Sequence, residues 1–100
     1  MGKRAREDDG EQAPIPSIAR IRAELERLAS LRAANGATFC PSEVARAVAI
    51  DWRPLMPVVR SVAAEMIAAR ALEATQRGVL VEGSILAARG PIRLRARAPK

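Results

Sequence analysis

Apolar residues recur at helical spacing in three stretches of this 100-residue chain, and near its C-terminus the period switches to strict alternation. With turn residues between the stretches, these observations predict a mainly α domain with a small β-hairpin, in the order of a winged helix-turn-helix: three helices and a C-terminal wing. The length suits one domain and not two. The organisation read from the sequence is a charged tail over 1–14, a winged-helix domain over 15–97 and a short tail over 98–100.

Met1–Pro14 holds three basic and four acidic residues with no apolar period, which reads as a flexible tail. Pro16 and Ser17 open the first helix, because proline fits a first turn and serine accepts from an unpaired N–H. Ile18, Ile21, Leu25 and Leu28 form its apolar stripe, and Asn35-Gly36 ends it. Ala37-Thr38-Phe39 reads as a short strand. Cys40-Pro41-Ser42-Glu43 then starts a second helix over Pro41–Val48, with Glu43 at the positive end of its dipole and Val44, Ala45 and Val48 turned inward.

Asp51 is the expected cap of the third helix, which runs to about Ala71 on a stripe of Leu55, Val59, Val62 and Met66. Pro57 removes a backbone donor inside that pattern, so a kink or a turn with a fresh start is expected there. With one Trp, one Phe and no Tyr in the chain, Trp52 reads as a core anchor. Leu72–Gln76 can alternate as a strand, Arg77-Gly78 turns it, and Val79-Leu80-Val81 is a second extended piece or part of a wing loop. Gly83-Ser84 breaks the chain again. After Gly90-Pro91, the run Ile92-Arg93-Leu94-Arg95-Ala96-Arg97 alternates apolar with basic, so Ile92 and Leu94 face the core and the arginines face away.

The composition excludes several function classes. A chain with no histidine and one cysteine lacks the usual metal ligands, and no Ser-His or Cys-His pair can be assembled. Its carboxylates are scattered over helical surface positions, so the expectation is a non-enzyme with no cofactor and no small-molecule substrate. Cys40 reads as a partly buried cap-region residue, with a reactive thiol as the alternative. No apolar run approaches the ~20 residues of a membrane span. The first fourteen residues also lack a signal-peptide core, so a cytoplasmic location is expected.

The formal charge is +6, and Arg89–Lys100 contributes five basic residues and no acidic ones. A local excess of this kind points to an anionic partner. Arg93, Arg95 and Arg97, with Arg89 before them, are candidate phosphate contacts. Protection of an exposed strand edge is the alternative reading, and either Arg93 or Arg95 can instead pair with Glu73 across the sheet. On the third helix, Arg53 and Arg60 share a stripe with Pro57, Ala64 and Ala68. Two arginines can contact guanine or phosphate, but the stripe offers no Asn, Gln or Lys to read other bases.

Three separated runs carry a family resemblance. Cys40-Pro41-Ser42-Glu43-Val44-Ala45-Arg46, then Trp52-Arg53-Pro54-Leu55-Met56-Pro57 with Val59-Arg60, and finally Arg89-Gly90-Pro91-Ile92-Arg93-Leu94-Arg95 agree in order and spacing over about Ile18 to Arg97. The chain resembles the bacterial domain-of-unknown-function family 3253. That resemblance implies a winged-helix-like fold and no particular activity. Duplex DNA is therefore the expected partner on charge grounds. A protein-interaction or homodimerisation module, using the alanine-rich stripe of the third helix, is the alternative.

Overall fold

Ser17 caps the first helix as its sequence position predicts, its side chain accepting the Arg20 backbone N–H at 3.0 Å. The computed structural model describes residues 16–97, so the expectations for Met1–Pro14, Ile15 and residues 98–100 lie outside it. The first helix, α1, spans Ile18–Ala33 and buries Ile21, Leu25, Leu28 and Ala29. Ile18 does not join them. It lies in the first turn and is 57% exposed, because the buried face begins one turn later.

The chain leaves α1 through a Schellman turn: the Ala37 N–H reaches the Arg32 carbonyl and the Gly36 N–H reaches Ala33. Gly36 takes the left-handed conformation (φ +64°) that this turn requires. Phe39 then pairs as a single bridge with Leu94. The second helix, α2 (Pro41–Val48), buries Pro41, Val44 and Ala45, while Val48 is half-buried against the core.

Pro57 acts as expected of a fresh start. A 3-10 turn over Arg53–Leu55 runs into α3 (Met56–Ala68), which takes Pro57 into its first turn, where a missing N–H leaves no bond unmade. Asp51 is not the cap; Trp52 occupies that position, with no side-chain bond to the turn. The predicted stripe of Leu55, Val59, Val62 and Met66 is buried, joined by Ala63.

The third helix ends at Ala68 rather than near Ala71. Its end repeats the Schellman bonding of α1, from Ala71 to Met66 and from Arg70 to Ile67. Here Arg70 occupies the left-handed position (φ 67°), so no glycine marks the stop.

The three extended segments read from the sequence after the third helix form one antiparallel sheet, with the hairpin of the first two as part of the wing. β1 (Leu72–Gln76) lies between β2 (Val79–Leu80) and β3 (Arg93–Ala96), and pairs antiparallel with both. β2 and β3 therefore run the same way on opposite edges, and residues 81–92 connect them. Arg77 (φ 52°) and Gly78 (φ 82°) both take left-handed conformations at the two-residue turn between β1 and β2, as a type I′ hairpin needs.

Leu72, Ala74, Ile92 and Leu94 fill the inner side of the sheet, as the alternation predicts. Ile85, in the connection, is 1% exposed and completes the core. Nothing in its local sequence marks it as apolar-periodic. The Arg60 guanidinium donates to the Ile85 carbonyl at 3.1 Å, and Gln76 Nε2 donates to the Arg89 and Pro91 carbonyls. These bonds tie the connection to α3 on one side and to β1 on the other.

The two helix ends make opposite predictions. An added Cβ at Gly36 meets nothing within 4 Å, so Gly36→Ala costs only the left-handed backbone term, roughly 1 kcal/mol. Arg70→Gly relieves the same term and is expected to stabilise by up to about 1 kcal/mol. Urea melts of the two variants check both signs. An Arg70→Gly midpoint below the parent's would contradict this account of the helix end.

Candidate nucleic-acid interface

β3 sets Arg93 and Arg95 on the face of the sheet opposite the core, because strand side chains alternate. Neither is an idle cation. Arg95 stands across from Glu73 in the β1–β3 register and donates to its carboxylate at 2.9 Å. Of the two pairings open to Glu73, the structure selects this one. Arg93 donates through Nε to Thr38 Oγ1 at 2.9 Å and through Nη2 to the Thr38 carbonyl at 3.2 Å. Arg97 follows the strand, half-buried, with its N–H 3.3 Å from the Ala71 carbonyl.

Thr38 joins Arg93 to a second group. Its carbonyl also accepts from Arg32 Nη1 at 3.1 Å, and the other arm of Arg32 is ion-paired to Glu43. Glu43 in turn accepts the Cys40 N–H at the start of α2, at 2.9 Å. Cys40 is half-buried at this cap, as its position predicts. Burial alone would raise the Glu43 carboxyl. The Arg32 hydrogen bond, the Cys40 N–H and the charges of Arg32 and Arg93 outweigh that and hold it below its ordinary 4.5. The cluster fastens the end of α1, the start of α2 and β3 together.

On the third helix the predicted stripe divides. Arg60 is half-buried and held by Ile85, and Ala64 is half-buried beside it, so this side lies against the connection rather than facing outward. The exposed side carries Pro57, Val58, Ser61, Glu65 and Ala68, and Glu65 is paired with Arg22 at 3.1 Å. That face has no long polar side chain free to read a base.

Arg53 is exposed and stacks on Trp52, its guanidinium carbon 4.6 Å from the ring centre. Arg46, from the end of α2, stacks on the same ring at 4.5 Å. Trp52 does pack against the core, half-buried, and it also supports two cations. The sequence reading missed Arg46 as a site residue, because no helical period links it to Trp52 across the intervening turn.

At the wing, Arg77, Arg89 and Arg93 line an open groove between the β1–β2 turn and the connection. Val79, Leu80, Val81 and Pro91 also line it, and Glu82 is its one carboxylate. By sequence alone Arg77 reads only as a turn residue. Its place at the hairpin tip follows from the two-residue register, which the sequence left open.

A family described as "Protein of unknown function (DUF3253)" matches residues 18–97, which takes in both stacked arginines, the third helix and the whole wing. The chain belongs to the DUF3253 family. None of the curated proteins searched matches it. Among the described residues, no helix of this DUF3253 domain is long and apolar enough to cross a membrane, and no group of three or more Cys, Asp or Glu is placed to hold a metal ion.

The Glu43 cluster makes the domain sensitive to acid. Because the folded carboxyl titrates below its unfolded value, its contribution is complete above about pH 4.5 and is lost as pH falls through the folded value. Glu43→Gln is expected to lower the urea midpoint at pH 7 and to flatten the loss of stability between neutral and acid pH. Equal acid sensitivity in parent and variant would remove Glu43 from this role.

Proposed function

We propose that this DUF3253 domain binds duplex nucleic acid in the cytoplasm, mainly through phosphate contacts from its wing and without base readout by α3. One observation carries the proposal. Arg77 and Arg89 are exposed on one open groove, and neither side chain makes a hydrogen bond or ion pair among the described residues. Residues 16–97 hold thirteen arginines against seven carboxylates. Four of those carboxylates, Glu24, Glu43, Glu65 and Glu73, are already paired with Arg27, Arg32, Arg22 and Arg95. Of the other nine arginines, Arg60 and Arg93 donate to Ile85 and Thr38, and the rest outnumber the three remaining carboxylates, which leaves a positive excess for an outside anion.

Phosphate contact needs charge and reach, and it carries no sequence information. That fits a surface of arginines around a helix whose exposed face is proline, valine, serine, alanine and a glutamate paired with Arg22. A second reading, a protein-interaction or homodimer module, rests on exposed Val79 and Leu80 along the free edge of β2 and on Leu86 nearby. Such an edge can pair with another chain. Sedimentation velocity at high concentration tests the homodimer form, and a monomer counts against it.

The nucleic-acid reading predicts binding to duplex DNA that weakens steeply with salt. The variant Arg77→Asn with Arg89→Gln removes two charges, and asparagine tolerates the left-handed turn position. Each lost phosphate contact should lower the slope of log affinity against log salt by about 0.9. A DNA titration across salt concentrations measures this. Absence of binding at low salt would sink the proposal, and an unchanged slope would remove the wing from the site.

A further inference from the structure

Arg46 lies in the last turn of α2, Arg53 opens the turn that leads into α3, and both guanidinium groups lie over the Trp52 ring. The four arginines in ion pairs spend donors on carboxylates. These two do not. Stacking uses the flat face of a guanidinium, while its N–H donors point outward in the plane of the group. A cation over the ring face spends no hydrogen bond on it, so both arginines can be held by the ring and keep their N–H donors for another group. Neither makes a hydrogen bond or ion pair among the described residues, and Asp51, exposed beside Trp52, pairs with neither.

We propose that Arg46, Trp52 and Arg53 form a second phosphate-binding subsite, in which the indole orders two arginines that each present donors to a backbone phosphate. This deepens the nucleic-acid reading and rests on it. Trp52 acts as a positioning residue. A long side chain fixed before binding loses less rotamer freedom on contact, so the stack strengthens the contact without touching the ligand itself. The subsite and the wing belong to one packed unit, since Arg60 fastens to α3 the connection that carries Arg89. DNA lying across both would meet Arg46 and Arg53 at the helix-turn-helix corner and Arg77 and Arg89 at the wing.

Trp52 is the sole tryptophan and the chain has no tyrosine, so its emission reports on this subsite alone. The full chain is titrated with fluorescently labelled duplex DNA at low salt. Anisotropy of the label follows binding while Trp52 emission follows the stack. The expected result is one midpoint for both signals, with both reversed by added salt. Arg46→Gln, which leaves Trp52 in place, should weaken binding roughly five- to tenfold and lower the salt slope by about one. Its thermal midpoint should stay close to the parent's. The Arg77→Asn, Arg89→Gln variant should keep the Trp52 response at higher DNA concentration.

Anisotropy that rises with unchanged Trp52 emission and an unaffected Arg46→Gln variant would overturn the subsite while leaving nucleic-acid binding intact. No anisotropy change at low salt would overturn the functional reading and the subsite with it. Polyglutamate shifting the emission as strongly as DNA at matched charge would overturn the phosphate assignment in favour of an acidic protein partner.

Discussion

Leu94 has a strand partner on each side, hydrogen-bonded on one and register-paired on the other, and the rest of the domain depends on that. It exchanges backbone hydrogen bonds with Phe39, at 2.8 and 2.7 Å, and on its other edge it faces Ala74 in the β1 register. Its side chain is fully buried, as is that of Phe39. One residue near the C-terminus thus closes the loop between α1 and α2 and seats the central strand. Such closure is unfavourable in chain entropy and must be offset by burial. The alternation of β3 makes that burial unambiguous: a slip of one residue would put Arg93 or Arg95 into the core.

The arginines of β3 serve this closure before they serve any partner. Arg93 reaches to Thr38 beside the Phe39 bridge, and Arg95 holds Glu73 on the neighbouring strand. A half-exposed ion pair of this kind contributes little by itself. Its place in the register matters more, because a like charge opposite Arg95 would oppose the pairing. The most conspicuous charge pattern in the sequence is thus largely committed within the fold. The four arginines of the proposed contacts, Arg46, Arg53, Arg77 and Arg89, are dispersed in the sequence.

That dispersal explains how much was legible. Helical stripes, the turn at Pro57 and the inward face of Ile92 and Leu94 follow from periodicity and proline chemistry, and the structure reproduces them. The end of α3 was misplaced because Arg70 holds a position where a glycine would have announced the stop. Ile18 fits the stripe by spacing but lies before the buried face begins. Ile85 was missed because a lone apolar residue in an aperiodic connection has no period to betray it. The two strands beside β1 were only half legible, since nothing local says that residues 81–92 carry the chain from one edge to the other. The candidate site was least legible of all. Stacking of Arg46 on Trp52 and the meeting of Arg77 with Arg89 are products of tertiary packing, and no spacing rule encodes them.

Backbone strain gives the remaining link between fold and charge. Only two non-glycine residues among those described take a positive φ, Arg70 and Arg77, and both are exposed arginines. The left-handed conformation costs an ordinary L-residue about 1–2 kcal/mol, a large share of the margin of a small domain. At the hairpin, Asn-Gly would satisfy the same turn with less strain. On stability alone, Arg77 is therefore a poor choice for this position. On the phosphate reading it is a sound one, since the turn leaves Arg77 exposed on the lining of the groove. An observed outlier of this kind is a reason to look for function at that place. Arg70 lies outside the groove, so strain there carries no such reading.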